Sequence, residues 1–476
     1  MNRNYIVLTA LILVLASKIV AQETWTLEKC INYAQQNNIT VKQTDLSVAD
    51  AQLLEKQSKL ARYPSLNGST NFGYNFGRSI DPTTNAFAAQ NIGFNSYNIS
   101  GNMILYNGSR ISNAIVQSQY NREAASANAE QTRNNISLQV ASTYLQILLA
   151  EDQLENANKK LQLTQNQLNQ LDKLVQVGMR PANDKLDIEA QLATDEQQIV
   201  GMQNNVAIAY LTLKQLLQLD PNHNMKVEHP KVDTPQNINL DAYTLTDVFN
   251  KALNTQPQIR AADWQLKSAE VAIDIAKSGL LPTLSLFGDI SSRFSTLSKS
   301  IAGFTTQQIS QEIQINGQPV TITTEQDIPI LERTSYFDQL DQNRSQSLGL
   351  ALNVPIYNNG SSKISMQRAK LNVETQQLQN TQIRQSLKSE IQKSITDAKA
   401  AQKSLVVAEK TQMARKAALE NTQKKFALGA TNVFELTSAQ NALDVANTNL
   451  LISKYDYLFK LKIIDYYMGN PIRLNN

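Results

Sequence analysis

Residues 136–175 read ISLQVASTYLQILLAEDQLENANKKLQLTQNQLNQLDKLV. Apolar or small residues recur at Ile136, Val140, Thr143, Ile147, Ala150, Leu154, Ala157, Leu161, Thr164, Leu168, Leu171 and Val175, in alternating steps of four and three. That spacing is a heptad seam. Helical character begins near Gly108 and reaches Val177, roughly 100 Å at the rise of an α-helix. An ordinary globular helix is far shorter. The turn Gly178-Met179-Arg180-Pro181 follows, and a second helix returns over 181–219. Thr and Ala stand at several seam positions, and Gln and Asn fill most of the others. A helix so poor in large apolar residues shares narrow seams with neighbouring helices rather than burying itself in one core.

Outward from this stretch, the chain is two copies of one unit. Trp25-Thr26-Leu27 matches Tyr243-Thr244-Leu245, and Tyr63-Pro64-Ser65-Leu66 matches Leu281-Pro282-Thr283-Leu284, both at an offset of 218. Leu105-Tyr106-Asn107 then matches Ile356-Tyr357-Asn358, and Gly178 matches Gly429, both at 251. The second copy therefore carries 33 further residues between Pro282 and Tyr357. The first repeat spans 22–220, a polar linker 221–242, and the second repeat 243–476. Each repeat opens on a short helix that Thr26 or Thr244 can N-cap. Its long helices are expected over 108–177 and 181–219, and over 360–428 and 431–468.

Between the short and long helices lie segments with a period of two. They cover about 65–77 and 94–106 in the first repeat, and 283–294 and 345–357 in the second. Leu348, Leu350, Leu352, Val354 and Ile356 oppose Ser347, Gly349, Ala351 and Asn353, and the other three segments alternate in the same way. One reading is a soluble sheet packed on a core. The other is a membrane β-barrel, apolar toward lipid and polar toward a lumen. The helices have no spare apolar face with which to cover a sheet, which favours the barrel. Tyr63, Tyr106 and Tyr357, where strand meets helix, suit an interfacial girdle. Four strands do not close, and a sheet in lipid tolerates no edge. Copies must therefore pool strands, two copies giving a filled barrel and three an open one. In a tube of antiparallel helices, the long descent is matched by a broken ascent of two shorter helices, and the linker at the break forms a belt.

The remaining features narrow the class. Residues 1–21 form a secretory leader, with Arg3 before the apolar run Ile6 to Ala16 and cleavage expected after Ala21. No later stretch approaches the length of a transmembrane helix. The single cysteine, Cys30, excludes an intrachain disulfide and reads as a small buried apolar residue. With 44 basic and 41 acidic side chains, nothing points to nucleic acid. His223 and His229 lack further ligands at metal spacing. No phosphate loop, carboxylate pair or nucleophile arrangement suggests an enzyme or a cofactor. Ile313-Gln314-Ile315-Asn316-Gly317, in the extra residues, signals a hairpin, expected to be the longer extracellular loop.

On the duplicated plan, the opening Trp25-Thr26-Leu27-Glu28-Lys29-Cys30-Ile31, the two strand starts and the two glycine turns, the chain resembles the TolC family of outer-membrane efflux proteins. Asp184 and Ala190-Gln191 follow the first turn, and Glu435 and Ala439-Gln440 the second. The resemblance implies a mainly α protein with a membrane β-barrel. It implies a homotrimer whose 12-stranded barrel stands on a 12-helix periplasmic α-barrel. It further implies a passive exit duct for efflux or type I secretion in a Gram-negative outer membrane. Its partners would be a periplasmic adaptor, an inner-membrane pump or ABC transporter, and outer-membrane lipid. The tip, for docking and gating, would comprise Gly178, Arg180, Asp184, Lys424, Lys425, Phe426, Gly429 and Glu435. Family members often place a second acidic residue where Ser438 stands, and some link the turns through Tyr and Arg at the positions of Phe426 and Thr431. Neither residue here makes that polar link, so Arg180 with Glu435, or Asp184 with Lys424 or Lys425, are the candidate closures. The alternative from another class is a secreted coiled-coil structural or adhesive protein with a soluble β-sheet.

Overall fold

A computed structural model describes residues 24–81, 84–230, 238–315 and 317–473. The leader, most of the centre of the linker and the last three residues lie outside them. The chain divides into two units. Among the described residues, a helical unit takes in those up to Leu53, Gln119–Ser268 and those from Val373 on, and a sheet unit takes in Leu54–Ser118 and Ala269–Asn372.

Helices α1 (Leu27–Asn37) and α2 (Ile39–Leu60) precede the long pair α3 (Arg110–Gln176) and α4 (Ala182–Leu217). The second repeat supplies α5 (Leu245–Thr255), α6 (Pro257–Lys277), α7 (Tyr336–Gln342), α8 (Ser361–Ala427) and α9 (Val433–Tyr467). The two openings fold alike because they are capped alike. The Thr26 hydroxyl accepts from the amide of Lys29 at 3.1 Å, and that of Thr244 from the amide of Asp247 at 3.2 Å. In α1 the residues Leu27, Cys30, Ile31 and Ala34 form the buried stripe.

Every seam position from Ile136 to Val175 is buried or half-buried. The upper seam packs with Trp25, Cys30, Leu213, Leu217, Tyr455 and Leu458. Burial pushes the Cys30 thiol up to about 12. Sequence periodicity did not show the two-residue strands β1 (Thr24–Trp25) and β6 (Lys226–Val227), which pair in parallel. Tyr144 fixes that junction: its buried hydroxyl lies 3.0 Å from the carbonyl oxygen of Trp25 and 2.7 Å from that of Glu228. His229, in the linker, stands 3.0 Å from the Glu151 carboxylate.

Lower in the helical unit the seam turns polar. Asp195 on α4 is 1% exposed, and Lys160 on α3 reaches it at 3.1 Å and Asp444 on α9 at 3.6 Å. Thr164, a seam residue, donates to Asp195 at 2.7 Å, as does Gln191. Asn156 donates to Asp444 at 3.0 Å. Three helices are thus tied by one lysine between two carboxylates, each with further donors.

In the sheet unit, β2 (Ser65–Asn75), β5 (Ile92–Tyr106), β7 (Thr283–Ser295) and β10 (Ser345–Asn353) form one antiparallel sheet in the order β10-β7-β5-β2. Its register separates the faces. Ser345, Ser291, Asn98 and Ser69 align across one row, and Leu350, Leu286 and Met103 across another. The Asn98 amide donates to the Asp289 carboxylate on the polar side. That side is not wholly polar, since the ring of Phe287 lies on Gly349. One sequence expectation needs correction. The fourth alternating segment ends at Asn353 rather than 357, because Pro355 offers no N–H to continue the ladder. The hairpin signalled at Ile313 to Gly317 is present among the extra residues, as the long strands β8 (Lys299–Ile315) and β9 (Gln318–Arg333), followed by α7. The hairpin turns through Gly317, at a φ of +77° that glycine tolerates best. The short pair β3 (Ser79–Ile80) and β4 (Phe87–Ala88) occupies the equivalent place in the first repeat.

Replacing Lys160 with Met leaves Asp195 buried without its cation, and is expected to cost about 3–5 kcal/mol. Circular-dichroism melts of the two proteins check it. Cys30 is expected to resist alkylation in the folded protein at mildly alkaline pH and to react once the chain is unfolded.

Candidate functional site

Two regions could act on the surroundings: the uncovered face of the sheet and the paired turns of the helical unit. On the sheet, Leu348 is 80% exposed and Leu352 66% exposed, and Leu66, Phe72, Ile99, Ile290 and Leu350 on the same side are exposed as well. Among the described residues nothing covers this face, and the soluble-sheet reading required a cover. Both outer strands, β10 and β2, have an edge without a partner among the described residues. No described helix is long and apolar enough to cross a membrane. Tyr63, Tyr106 and Tyr357 are all exposed.

The turns are built alike. After α3, Gly178 has φ +75°, and its N–H donates to Val175 O at 3.0 Å while Met179 N–H donates to Leu174 O at 2.8 Å. After α8, Gly429 has φ +73°, with Gly429 N–H on Phe426 O at 3.0 Å and Ala430 N–H on Lys425 O at 2.8 Å. Both are Schellman caps, in which a left-handed residue lets two amides satisfy carbonyls that the ended helix leaves open. The returning helices start differently. Pro181 leads into α4 without a side-chain cap, whereas Asn432 caps α9 by accepting from Glu435 N–H at 2.9 Å.

Arg180 joins the two turns. Its guanidinium donates to Phe426 O at 3.0 Å and reaches Thr431 O at 3.4 Å, and it lies 4.4 Å from the centre of the Phe426 ring. The carbonyls at the end of α8 carry the negative pole of that helix, so a cation there is doubly favoured. Asp184 holds the other side of the guanidinium at 3.7 Å. Behind the clamp, Leu171, Ile188 and Val433 form a small core with Leu168, Val175 and Phe426. A groove of about 720 Å³ opens beside it, walled by Leu163, Leu171, Leu174, Val177, Phe426 and Leu436.

These contacts revise the expected closures. Within the chain Arg180 does not pair with Glu435; the Glu435 carboxylate accepts from the Thr431 hydroxyl and belongs to the start of α9. Asp184 pairs with Arg180 rather than with Lys424 or Lys425, which stand exposed in the last turn of α8. Phe426 and Thr431 do link the turns, through backbone oxygens and a ring face. Side-chain chemistry alone does not reveal such acceptors. The Asn432 cap is a further tip feature, and Asn432-x-x-Glu435 is the sequence pattern that signals it.

Residues 30–218 and 248–470 match the model of a family described as outer membrane efflux protein. Outer membrane protein TolC of Salmonella enteritidis is 22% identical over 338 residues, 70% of this chain and 60% of that protein. The chain spans about half the length of the curated relatives it matches. Among solved structures, the outer membrane protein VceC of Vibrio cholerae superposes with a TM-score of 0.73 at 15% identity, over 94% of this chain and 96% of that one. The CmeC outer membrane channel of Campylobacter jejuni does so with a TM-score of 0.70 at 16% identity, over 94% and 87%. At such identities the solved structures speak for the fold alone.

Hydrogen bonds from a cation to carbonyls contribute about 1.5–3 kcal/mol, and a cation–ring contact about 0.5–1 kcal/mol. Arg180→Ala is therefore expected to raise hydrogen exchange at Gly429 and Ala430 about tenfold to a hundredfold. Arg180→Lys, with a single ammonium in place of the fork, restores only part of the protection.

Proposed function

The chain belongs to the outer membrane efflux protein family, and from that membership we propose that it is the exit duct of a tripartite efflux pump or a type I secretion system. Its location is the outer membrane, with the helical part in the periplasm. Three copies pool their strands into a 12-stranded barrel, and their helices line a 12-helix tunnel. Cargo passes without chemistry: the barrel and tunnel offer a hydrated path, and the turns form the constriction. A periplasmic adaptor docks at the turns and couples the duct to an inner-membrane pump or ABC transporter. Gly178 and Gly429 shape that tip, Lys424, Lys425 and Glu435 give it charge, and Arg180, Asp184 and Phe426 hold it together.

One observation carries the reading: an antiparallel sheet of four strands, apolar side exposed and both edges open. Lipid suits the apolar side, and further copies suit the edges. The secreted coiled-coil alternative leaves that side in water.

Purified protein in planar bilayers is expected to give discrete conductance steps, and detergent solution to hold a trimer. Arg180→Ala should raise the conductance or the open fraction. A folded trimer that stays electrically silent with and without Arg180, tried also with an adaptor, would overturn the duct.

A further inference from the structure

The β8–β9 ribbon is the part of the chain that the first repeat lacks, and its two faces differ sharply. From Gly303↔Ile330 to Ile315↔Gln318 the register is unbroken, roughly 40 Å of ribbon. One face opens at its base on the exposed Phe304 opposite Pro329, and then pairs Thr306 with Asp327, Gln308 with Glu325, Ser310 with Thr323, and Glu312 with Thr321. It holds three carboxylates and satisfies itself across the strands: Thr306 donates to Asp327 at 2.7 Å, and the Ser310 and Thr323 hydroxyls meet at 3.2 Å. The opposite face pairs Thr305 with Ile328, Gln307 with Gln326, Ile309 with Thr324, Gln311 with Ile322, and Ile313 with Val320. It bears no charge, and Ile309, Ile313, Val320, Ile322 and Ile330 are 38–45% exposed. A two-stranded ribbon is marginal by itself in water, and one with an uncovered aliphatic face needs a partner.

We propose that this uncharged face is an interaction surface whose partner is the same face of another copy of this chain in the oligomer. The inference rests on the oligomeric duct proposed above. Three features select that occupant. The ribbon springs from β7 and its chain returns into β10, the edge strand whose open side awaits a neighbouring copy, so a second ribbon is within reach. The aliphatic side chains are interleaved with the amides of Gln307, Gln311 and Gln326. Lipid would leave these amides without hydrogen-bond partners, whereas an identical face presents amides to meet amides. Packing the uncharged faces inward around a rotation axis also turns Glu312, Glu325 and Asp327 outward, away from one another's copies.

The test is disulfide trapping in the full-length protein. Cys30 is fully buried with its thiol pushed up to about 12, so it does not interfere. Ile309→Cys, Ile313→Cys, Val320→Cys and Ile322→Cys probe the uncharged face. Ser310→Cys, Thr321→Cys and Thr323→Cys probe the acidic one. Mild oxidation of the folded oligomer is expected to convert the monomer band to covalent dimer for at least one variant of the first set and for none of the second. Dimers from both sets would mean that ribbons join edge to edge, and would overturn the proposal. So would dimers from neither set in an intact oligomer, since the face would then meet lipid or another protein. Val320→Cys changes volume little and covers the case in which an Ile variant does not fold. Absence of any oligomer in the unsubstituted protein would count against the duct rather than against the ribbon contact.

Discussion

A backbone amide in hydrocarbon has no water to turn to, and each one left unpaired costs several kcal/mol. The sheet unit satisfies three ladders, β10 with β7, β7 with β5 and β5 with β2, and leaves its two outer edges open. Its rows alternate between side chains that suit lipid and side chains that suit water. The duplicated plan supplies two strands per repeat and long helices that need neighbours just as the sheet does.

The helical unit meets a different shortage. Its seam has too few large apolar side chains for its length, so polar joints take over part of the specification. Lys160 between Asp195 and Asp444 fixes how α3, α4 and α9 slide against each other, because each partner is hydrogen-bonded in one register only. A buried ion pair of this kind adds little net stability but is costly to break. At the turns Arg180 plays the comparable part, with the Phe426 carbonyl at the end of α8 and the Thr431 carbonyl of the turn as its acceptors.

Much of this was legible in the residues. The heptad steps from Ile136 to Val175 coincide with positions that the structure buries, and the two-residue alternation with strands whose register separates Leu350 from Ala351. Periodicity reports faces, and faces are what these elements use. Thr164 shows the limit: in sequence it weakens the seam, yet it is buried because its hydroxyl serves Asp195, a residue 31 positions away. The turns show another. Arg180, Phe426 and Thr431 could be singled out, but pairing rules for side chains offer Arg180 with Glu435, or Asp184 with Lys424 or Lys425, as candidates, since carbonyl acceptors carry no signature in a sequence. The pairing of Trp25 with Val227 escaped for a third reason, as a two-residue strand has no period to detect.

Whether the apolar side of the four-stranded sheet faces lipid decides the proposed duct. Nitroxide labels placed one at a time from Ser347 to Asn353, in protein reconstituted into bilayers, report it directly through collision with oxygen dissolved in lipid and with a water-soluble relaxant. A period of two is expected, with labels at Leu348, Leu350 and Leu352 favouring oxygen and those at Ser347, Gly349, Ala351 and Asn353 favouring the aqueous relaxant. A profile without that alternation, or with its phase reversed, would contradict it.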